Sequence, residues 1–505
     1  MMHIKIQGKR LLGGIIALTF FVQCQLDKKK ESQSNQAFEI TSTSETRPNV
    51  VIIYADDLGY GDVSCYNKDS KIKTPHIDKL AVEGMKFKDA HSAASYCTPS
   101  RYSILTGNYC WRSKKTFRLQ GGYGTPIIQK DERTLGNLFQ QNGYKTAASG
   151  KWHVGMHWSV FNTNLEIEDE YDEENVDFES PLPFSPVDQG FDYFFGTSGC
   201  PTDDPPFLHI ENRNVVGLPL ERKTYEMVTH NGGETSVWDD ILTGQGYSHE
   251  TTDIAFTDKA IGFMEEQTKK NKPFFVYLPF SLPHIPWEPA KFVKGSTGAG
   301  PRGDLVALLD HCVGEITSTL ERLGVSDNTL IVFTSDNGPR EGELGHRSAG
   351  EFKGFKGSLA EGGHRVPFIV KWPGKIAKAS ESNELIGQVD LYATLASILG
   401  SPLREKDAPD SMDFSSVLFG EKLNDPIRTS YIHHGFGVRL GDWKLIFDAE
   451  NIEKASKEAI EPLELYNLSE DLTEQNNVIE DHPEIVSELI SIFLEAQRKG
   501  RTRPI

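Results

Sequence analysis

Apolar runs of strand length alternate with helix-length segments along the chain from Pro48 onward. Four of these runs are nearly continuous, at residues 50–54, 144–148, 273–278 and 329–334. Continuous apolar runs are typical of strands buried on both faces, and strands that alternate with helices usually form a parallel sheet. The pattern therefore predicts an α/β fold with a large, central, mostly parallel sheet sandwiched by helices.

The pattern changes near residue 426 to short strands of alternating polarity, followed by a helix over residues 483–498. This change predicts a smaller C-terminal domain, an antiparallel sheet plus a helix, at residues 426–505. The preceding residues 47–425 would form the main domain. A length of 505 residues agrees with two domains, because single cores stop growing near ~250–300 residues.

The N-terminal segment predicts export. Residues 1–10 are basic, and residues 11–22 form an uncharged apolar stretch of 12 residues, which suits a cleaved signal better than a membrane span. We expect residues 1–24 to be a signal peptide and residues 25–46 a polar linker. Cys24 follows the apolar stretch directly, so lipidation of Cys24 and simple cleavage both stay open. The expected location is the periplasm, or the outer membrane or cell surface as a lipoprotein.

The net charge excludes one class of partner. With a charge of −19 and a pI near 5.3, the chain lacks the basic surface that nucleic-acid binding normally needs. An anionic substrate is still compatible with this charge, because a few cations in a pocket can outweigh a screened acidic exterior.

Cysteine spacing gives no disulfide or zinc pattern. Besides Cys24 and Cys97, the chain has Cys65, Cys110, Cys200 and Cys312, widely spaced and without a Cys-x-x-Cys pair. Their pairing is not determined by the sequence.

Polar residues follow the four apolar runs. Asp56 and Asp57 follow the first run, and Asp336 and Asn337 follow the last. Lys151 and His153 follow the run at 144–148, and His284 follows the run at 273–278. These side chains form one set at the ends of predicted strands. Ligands in open α/β sheets bind beyond the carboxyl ends of the strands, so we expect the set to converge. A lone acidic pair is more often a turn or a helix cap, but two pairs that each close a buried strand argue against that interpretation. Three carboxylates and an amide oxygen suit Ca²⁺ or Mg²⁺, and Ca²⁺ is the better choice for an exported protein.

The strongest motif lies at residues 95–107, Ser-Tyr-Cys-Thr-Pro-Ser-Arg-Tyr-Ser-Ile-Leu-Thr-Gly. It resembles the type I, formylglycine-dependent sulfatase signature Cys-x-Pro-Ser-Arg followed by Leu-Thr-Gly. Similar segments occur in the family's order at residues 56–61, 74–78, 150–155, 283–286, 335–338 and 356–363. An isolated cysteine beside Pro and Ser would more often be an inert buried thiol, and the surrounding motifs argue against that. The chain is identified as an arylsulfatase-A-like member of the alkaline phosphatase superfamily.

The resemblance implies a set of site residues. One calcium ion would be held by Asp56, Asp57, Asp336 and Asn337 together with Cys97 after its conversion to formylglycine. Three cations, Arg101, Lys151 and Lys356, would gather around the formylglycine hydrate and the sulfate. His153 and His284 would transfer protons, His284 to the leaving alcohol and His153 in the step that re-forms the aldehyde.

The resemblance also implies an activity, a sulfuric ester hydrolase acting on sulfate monoesters. Its expected substrate is a sulfated polysaccharide or its oligosaccharides, an algal glycan such as ulvan or a glycosaminoglycan. Its expected partner is a formylglycine-generating or anaerobic sulfatase-maturing enzyme. Two alternatives stay open: a phosphate or phosphonate ester hydrolase of the same superfamily, and an inactive surface protein that binds glycans. The sugar, the hydroxyl position, endo or exo action and the oligomeric state are not determined.

Several segments could contribute to substrate choice. Trp238 could stack on a sugar or pack in the core, residues 343–350 could form a pocket rim, and His433 or His434 could reach that rim or only complete the fold. The acidic run within residues 161–179 is expected to be a solvated loop.

Overall fold

The computed structural model describes residues 47–113, 119–230, 234–448 and 461–504. The predicted signal peptide at 1–24, the linker at 25–46 and the lipidation of Cys24 lie outside the described residues. The strands, in chain order, are β1 (Asn49–Ala55), β2 (Met85–Phe87), β3 (Ala90–His91), β4 (Lys145–Lys151), β5 (Tyr193–Thr197), β6 (His209–Glu211), β7 (Asn214–Val216), β8 (Glu221–His230), β9 (Glu234–Thr243), β10 (Phe274–Pro279), β11 (Thr329–Ser335), β12 (Phe368–Lys371), β13 (Ser380–Ser382), β14 (Ile386–Gly387), β15 (Ser430–His433), β16 (Gly437–Leu440), β17 (Trp443–Phe447) and β18 (Pro462–Asn467).

The helices have the following bounds: α1 (Pro75–Glu83), α2 (Cys97–Thr106), α3 (Leu135–Gln141), α4 (Thr252–Lys269), α5 (Gly300–Arg322), α6 (Glu361–His364), α7 (Leu391–Ile398), α8 (Ser415–Leu418) and α9 (Pro483–Lys499). Within the described ranges, none of these helices combines the length and the apolar character needed to cross a membrane.

The central sheet has ten strands in the order β13-β2-β12-β11-β1-β10-β4-β5-β6-β7. Its five middle strands, β11, β1, β10, β4 and β5, all run parallel, while β12, β6 and β7 join as antiparallel strands towards the edges. The parallel core contains all four apolar runs of the sequence. The predicted large, mostly parallel sheet is therefore confirmed.

Both faces of the sheet are covered by apolar side chains. All seven residues of β1 are buried. Because successive side chains in a strand point to opposite faces, Ile52 packs into one core and Ile53 into the other. The first core includes residues of α2, α3 and α7, and the second includes residues of α1, α4 and α5. This arrangement confirms the predicted sandwich of helices around the sheet.

The C-terminal part forms a four-stranded antiparallel sheet in the order β15-β16-β17-β18. Helix α9 packs on it through Leu489 and Phe493, which share a core with Val438 and Leu445. The predicted antiparallel sheet with a helix is therefore confirmed. This sheet belongs to the same compact unit as the large sheet, and the domain boundary at 425/426 stays a prediction.

The cysteines of the described residues are free thiols. Cys97, Cys110, Cys200 and Cys312 are buried, and Cys65 is partly exposed. The described fold is therefore held together without disulfides.

Candidate active site

The carboxyl ends of the parallel strands bring the predicted polar residues together. Asp56 follows β1 directly, and Lys151 is the last residue of β4. The Lys151 Nζ donates to Asp56 Oδ2 at 2.6 Å, across the intervening strand β10. Asn337, beyond β11, donates from Nδ2 to Asp57 Oδ1 at 2.7 Å. Residues far apart in sequence thus form one contact network at a single edge of the sheet.

A cluster of oxygen atoms lies at the centre of this network. Oxygens of Asp56, Asp57 and Asp336 lie within 4.8 Å of one another, and all three side chains are buried. Asp56 Oδ1 and Asn337 Oδ1 accept no hydrogen bond from any of the described residues. Buried polar atoms nearly always have a partner, so these two oxygens are free to bind a ligand.

Electrostatics within the cluster favour a bound cation. Burial and the neighbouring Asp56 raise the pKa of Asp336 well above its usual range. Although burial opposes ionisation of Asp56, Lys151 and His284 hold the pKa of that carboxyl below its usual range. Crowded carboxylates with unused oxygens are the ligand chemistry of hard divalent cations such as Ca²⁺. The residues present therefore fit the predicted metal.

The backbone at Asp57 adopts the left-handed region, with φ of 60°. This conformation is uncommon for a residue other than glycine and persists only where the surroundings enforce it. The Asp57 N–H donates to Asp336 Oδ1 at 3.2 Å, and its carbonyl accepts from Arg302 Nη2 at 2.8 Å. These two contacts hold the Asp57 backbone in this conformation, and Asn337 Nδ2 and Lys356 Nζ contact its carboxylate.

Cys97 is the first residue of α2, a helix whose ten residues are all buried. Its side chain forms part of a cavity wall with Lys356 and His284. Burial alone would raise the pKa of the Cys97 thiol, but the positive charges of Lys151 and Lys356 hold it well below the usual value. The residue at position 97 therefore occupies a site that stabilises negative charge.

Arg101 lies one helical turn after Cys97, and its side chain is fully buried. Its Nε donates to Asp336 Oδ2 at 3.0 Å, and its Nη1 donates to the Lys151 carbonyl at 2.8 Å. Arg101 therefore connects α2 to the ends of β4 and β11. It is not among the residues that line the cavity.

The two predicted histidines have carboxylate neighbours that the sequence did not single out. His153 Nε2 lies 3.1 Å from Asp204 Oδ2. His284 Nδ1 lies 3.8 Å from Asp203 Oδ1, and its Nε2 lies 3.7 Å from Asp57 Oδ2. Burial alone would lower the pKa of His284, but Asp203 and its other neighbours raise it well above the usual value. The only signal in the sequence is weak, because this acidic pair comes six and seven residues after β5, whereas Asp56 and Asp57 follow β1 directly.

The cavity above these residues has a volume of about 400 Å³. Its walls combine carboxylates, cations and apolar side chains, from Tyr96, Cys97, Leu119, His153, Asp203, Asp204, His284, Arg340, Glu341, Phe355 and Lys356. Lys356 gives this cavity a cationic group, and its Nζ lies 2.8 Å from Asp57 Oδ1.

The sequence profile of the Sulfatase family matches residues 48–401. The chain belongs to the sulfatase family. It is 33% identical to an N-acetylgalactosamine-6-O-sulfatase of Bacteroides thetaiotaomicron, over 96% of this chain and 97% of the relative. It is 30% identical to arylsulfatase G of Canis lupus familiaris, over 86% of this chain and 81% of the relative.

The fold of the sulfatase also matches a solved structure from a study of glycosaminoglycan metabolism by Bacteroides thetaiotaomicron. The TM-score is 0.75 at 32% identity, over 90% of this chain and 99% of the other. The resemblance found in the motifs is thereby confirmed, and the protein is a sulfuric ester hydrolase. The roles of the individual site residues stay predictions.

The residues considered for substrate choice in this sulfatase lie in different surroundings. Trp238 stacks against Phe207, with ring centroids 5.8 Å apart, in a small apolar cluster, which favours the packing alternative. His346, within the predicted rim at 343–350, is buried, with Nε2 at 2.9 Å from Asp62 Oδ1. His434 contacts the ring of Tyr96, a cavity residue, whereas His433 lies in a separate buried cluster.

Proposed function

We propose that this sulfatase hydrolyses sulfate monoesters on a sulfated glycan, using Ca²⁺ and a formylglycine made from Cys97. The observation that carries the proposal is the position of Cys97. It lies in the wall of a cavity, within the influence of the charges of Lys151 and Lys356, and beside an oxygen cluster whose Asp56 Oδ1 and Asn337 Oδ1 accept no hydrogen bond from the described residues.

The proposed calcium ligands are the side chains of Asp56, Asp57, Asp336 and Asn337, together with the modified residue 97. Support comes from the all-oxygen set and from the two unused oxygens. When bound, the ion would stabilise negative charge on the sulfate oxygens and lower the pKa of a neighbouring hydroxyl.

The proposed modification explains why a cysteine stands in a sulfatase site without acting as a thiolate. As a hydrate, formylglycine supplies two hydroxyls, one to attack sulfur and one to release sulfate afterwards by re-forming the aldehyde. The modification requires a partner, a formylglycine-generating or anaerobic sulfatase-maturing enzyme, which would act before α2 becomes buried.

Other side chains of the chain would bind the sulfate and move protons. Lys151 is buried, the side chain of Lys356 is 10% exposed, and low exposure strengthens the attraction of both cations for an anionic group. His284 has a raised pKa and would donate a proton to the leaving alcohol. His153 would exchange a proton with the hydroxyls at residue 97, and Asp204 would fix its ring.

The proposed substrate is a sulfated amino sugar within a glycosaminoglycan fragment. The relatives and neighbours support this class, since one is named an N-acetylgalactosamine-6-O-sulfatase and another comes from glycosaminoglycan metabolism. A cavity of about 400 Å³ is within the size range of small-ligand sites and offers room for a sulfated sugar at a chain end.

The direct test is sulfate release from defined oligosaccharides by protein co-produced with a maturing enzyme. The panel would contain 6-sulfated and 4-sulfated galactosamine oligosaccharides, sulfated algal oligosaccharides, and aryl sulfate and aryl phosphate esters. We expect release from the 6-sulfated amino sugar, and no activity in Cys97→Ala. Cys65→Ala serves as the matched control, because Cys65 is only partly buried and lies outside the cavity.

Three outcomes would contradict the proposal. A larger kcat/KM for the phosphate ester would favour the phosphate or phosphonate hydrolase. Sulfate release from the algal oligosaccharides alone would show that the substrate is an algal glycan and not a sulfated amino sugar of a glycosaminoglycan. An unmodified Cys97 in peptide mass spectrometry, together with glycan binding but no sulfate release, would favour the inactive glycan-binding alternative.

We also propose export to the periplasm or the cell surface, on the basis of residues 1–24. Cell fractionation of the full chain and of a Cys24→Ser variant distinguishes lipidation of Cys24 from simple cleavage of the signal peptide. Loss of membrane association in the variant would support lipidation, an exported protein unchanged by the substitution would support simple cleavage, and retention in the cytoplasm would refute export.

A further inference from the structure

A second cluster of metal-ligating side chains lies where β3, α6 and β15 meet. His91, His364 and His433 each place one ring nitrogen so that the three nitrogens lie within 4.8 Å of one another. The three side chains are at most 1% exposed. Among the described residues, the cavity beside Cys97 is lined by other side chains, so this cluster is separate from the candidate active site.

In two of these rings, one nitrogen faces the cluster and the other already has a hydrogen-bond partner outside it. His91 Nδ1 and His364 Nδ1 face each other at 3.0 Å. On the opposite side of each ring, His91 Nε2 lies 2.7 Å from Asp89 Oδ1, and His364 Nε2 lies 3.0 Å from the Leu359 carbonyl. Histidines that bind metals typically use one nitrogen for the ion and give the proton of the other to a carboxylate or a carbonyl.

His433 has the most unusual environment of the three. Neither of its ring nitrogens has a hydrogen-bond partner among the described residues. Its ring stacks on His364, with centroids 3.9 Å apart, and packs against His91 at 5.1 Å. Leaving a buried nitrogen without a partner destabilises the fold, and a bond to a metal would remove that cost.

Charges around the cluster are balanced before any ion binds. Lys444 pairs with Glu361 at 2.9 Å and with Glu474 at 2.8 Å. Arg439 pairs with Asp89 at 2.7 Å, and Arg365 pairs with Glu361 at 3.0 Å.

The histidines themselves are neutral ligands. Burial lowers the pKa of His91, His364 and His433, so each ring keeps a free lone pair near neutral pH. Lys444 Nζ, at 3.1 Å from His364 Nε2, competes with the Leu359 carbonyl for that nitrogen. Metal binding requires the tautomer of His364 that donates to Leu359 and leaves Nδ1 free.

We propose that His91, His364 and His433 form a binding site for a borderline-soft divalent ion, with Zn²⁺ as the expected occupant. Neutral imidazoles suit Zn²⁺, whereas Ca²⁺ and Mg²⁺ require oxygen ligands. Three protein ligands leave a fourth position for water. Because the ligands come from β3, α6 and β15, the ion would link the C-terminal antiparallel sheet to strand β3 and helix α6.

The test is metal titration of the full-length protein in excess Ca²⁺, which keeps the oxygen cluster occupied. We expect one Zn²⁺ per chain by calorimetry, a rise in Tm on Zn²⁺ addition, and visible absorption bands of a tetrahedral Co²⁺ complex. His433→Asn and His364→Asn should lose this binding. Asp89→Asn should weaken it by about 10–100-fold, through loss of the outer partner of His91.

A matched control is His482→Asn, because His482 is partly exposed and lies outside the cluster. Unchanged Zn²⁺ binding in folded His433→Asn would overturn the proposal, as would a wild-type protein that takes up no Zn²⁺. If circular dichroism shows that the variants are unfolded, anomalous scattering at the zinc edge from wild-type crystals decides the question. An ion at the three histidines supports the site, and its absence there overturns it. None of these readouts depends on sulfatase activity, so the outcome is separate from the proposed function.

Discussion

Asp204 Oδ2 lies 3.1 Å from His153 Nε2, and His153 lines the same cavity as Cys97. Asp204 is thus the carboxylate partner of an imidazole that shares the cavity with the reacting residue. A carboxylate in this position fixes the tautomer and orientation of the ring. His153 also has a backbone φ of 57°, in the left-handed region that is uncommon for residues other than glycine. The direction of its side chain therefore depends on this local conformation and does not continue the pattern of β4.

We predict that Asp204→Asn lowers kcat with little change in KM. Loss of the proton carrier in His153→Ala should cost about 10²–10⁴-fold in rate, and Asp204→Asn should cost part of that loss. Steady-state kinetics on a sulfate ester measure both variants. Asp188→Asn is the control, since Asp188 pairs with Arg213 outside the cavity. A kcat for Asp204→Asn equal to that of the control would show that Asp204 does not position His153.

Asp203 should set the alkaline limit of activity through His284. Burial alone lowers the pKa of His284, and Asp203 is the largest of the influences that raise it. If protonated His284 is the acid, activity persists below its raised pKa and falls as the pH passes it. Asp203→Asn should therefore move the alkaline limb of the kcat profile to lower pH. An unchanged limb in this variant, measured beside Asp188→Asn, would assign the acid to another group.

The central sheet was predictable because its middle strands are buried on both faces. Strands β1, β10 and β11 are continuous apolar runs, and their polar ends are visible directly in the sequence. Edge strands β6, β7 and β13 have three residues each and carry no run long enough to separate them from loops. Their pairing is decided by tertiary contacts rather than by local pattern.

Part of the site could not be predicted from the sequence, again because tertiary contacts rather than local pattern decide it. Asp56 and Asp336 close recognisable strands, whereas Arg302 lies within the long helix α5 and pairs with Asp62 at 2.7 Å over 240 positions. His346 contacts the same carboxylate from residues 343–350, which the sequence offers as a possible pocket rim. Such long-range pairs leave no local signature, and only the folded chain places them.

Asn337→Ala should weaken calcium binding. The substitution removes one unused oxygen and the Nδ2 donor that holds Asp57 Oδ1. Ca²⁺ at 100 times its Kd stabilises the folded state by about 2.7 kcal/mol. We expect urea unfolding in Ca²⁺ and in chelator to show this difference for the wild type and a much smaller one for Asn337→Ala. Asn67→Ala is the control, because Asn67 Nδ2 donates to the Gly61 carbonyl at 2.9 Å rather than to a residue of the oxygen cluster. An equal calcium effect in both variants would place the ion elsewhere.

Arg302 should stabilise both the fold and the oxygen cluster. Its guanidinium is 1% exposed, donates to both oxygens of Asp62, and holds the Asp57 carbonyl at 2.8 Å. Removing one partner of a buried ion pair leaves an uncompensated charge and typically costs about 3–5 kcal/mol. Arg302→Ala should therefore lower the free energy of unfolding by that amount and, by releasing Asp57, also weaken Ca²⁺ binding.

The same helix offers a matched control in Arg322, whose pair with Glu265 is largely exposed. Arg322→Ala should cost about 0–1 kcal/mol, as exposed ion pairs do. The double variant Arg302→Met, Asp62→Leu should be less destabilised than Arg302→Ala, because it leaves no unpaired charge at this position. Urea unfolding measures all three free energies, and calorimetry measures the calcium affinity. If Arg302→Ala costs no more than Arg322→Ala, the buried pair contributes nothing to stability. If its calcium affinity equals that of the wild type, the contact with Asp57 does not orient the metal ligand.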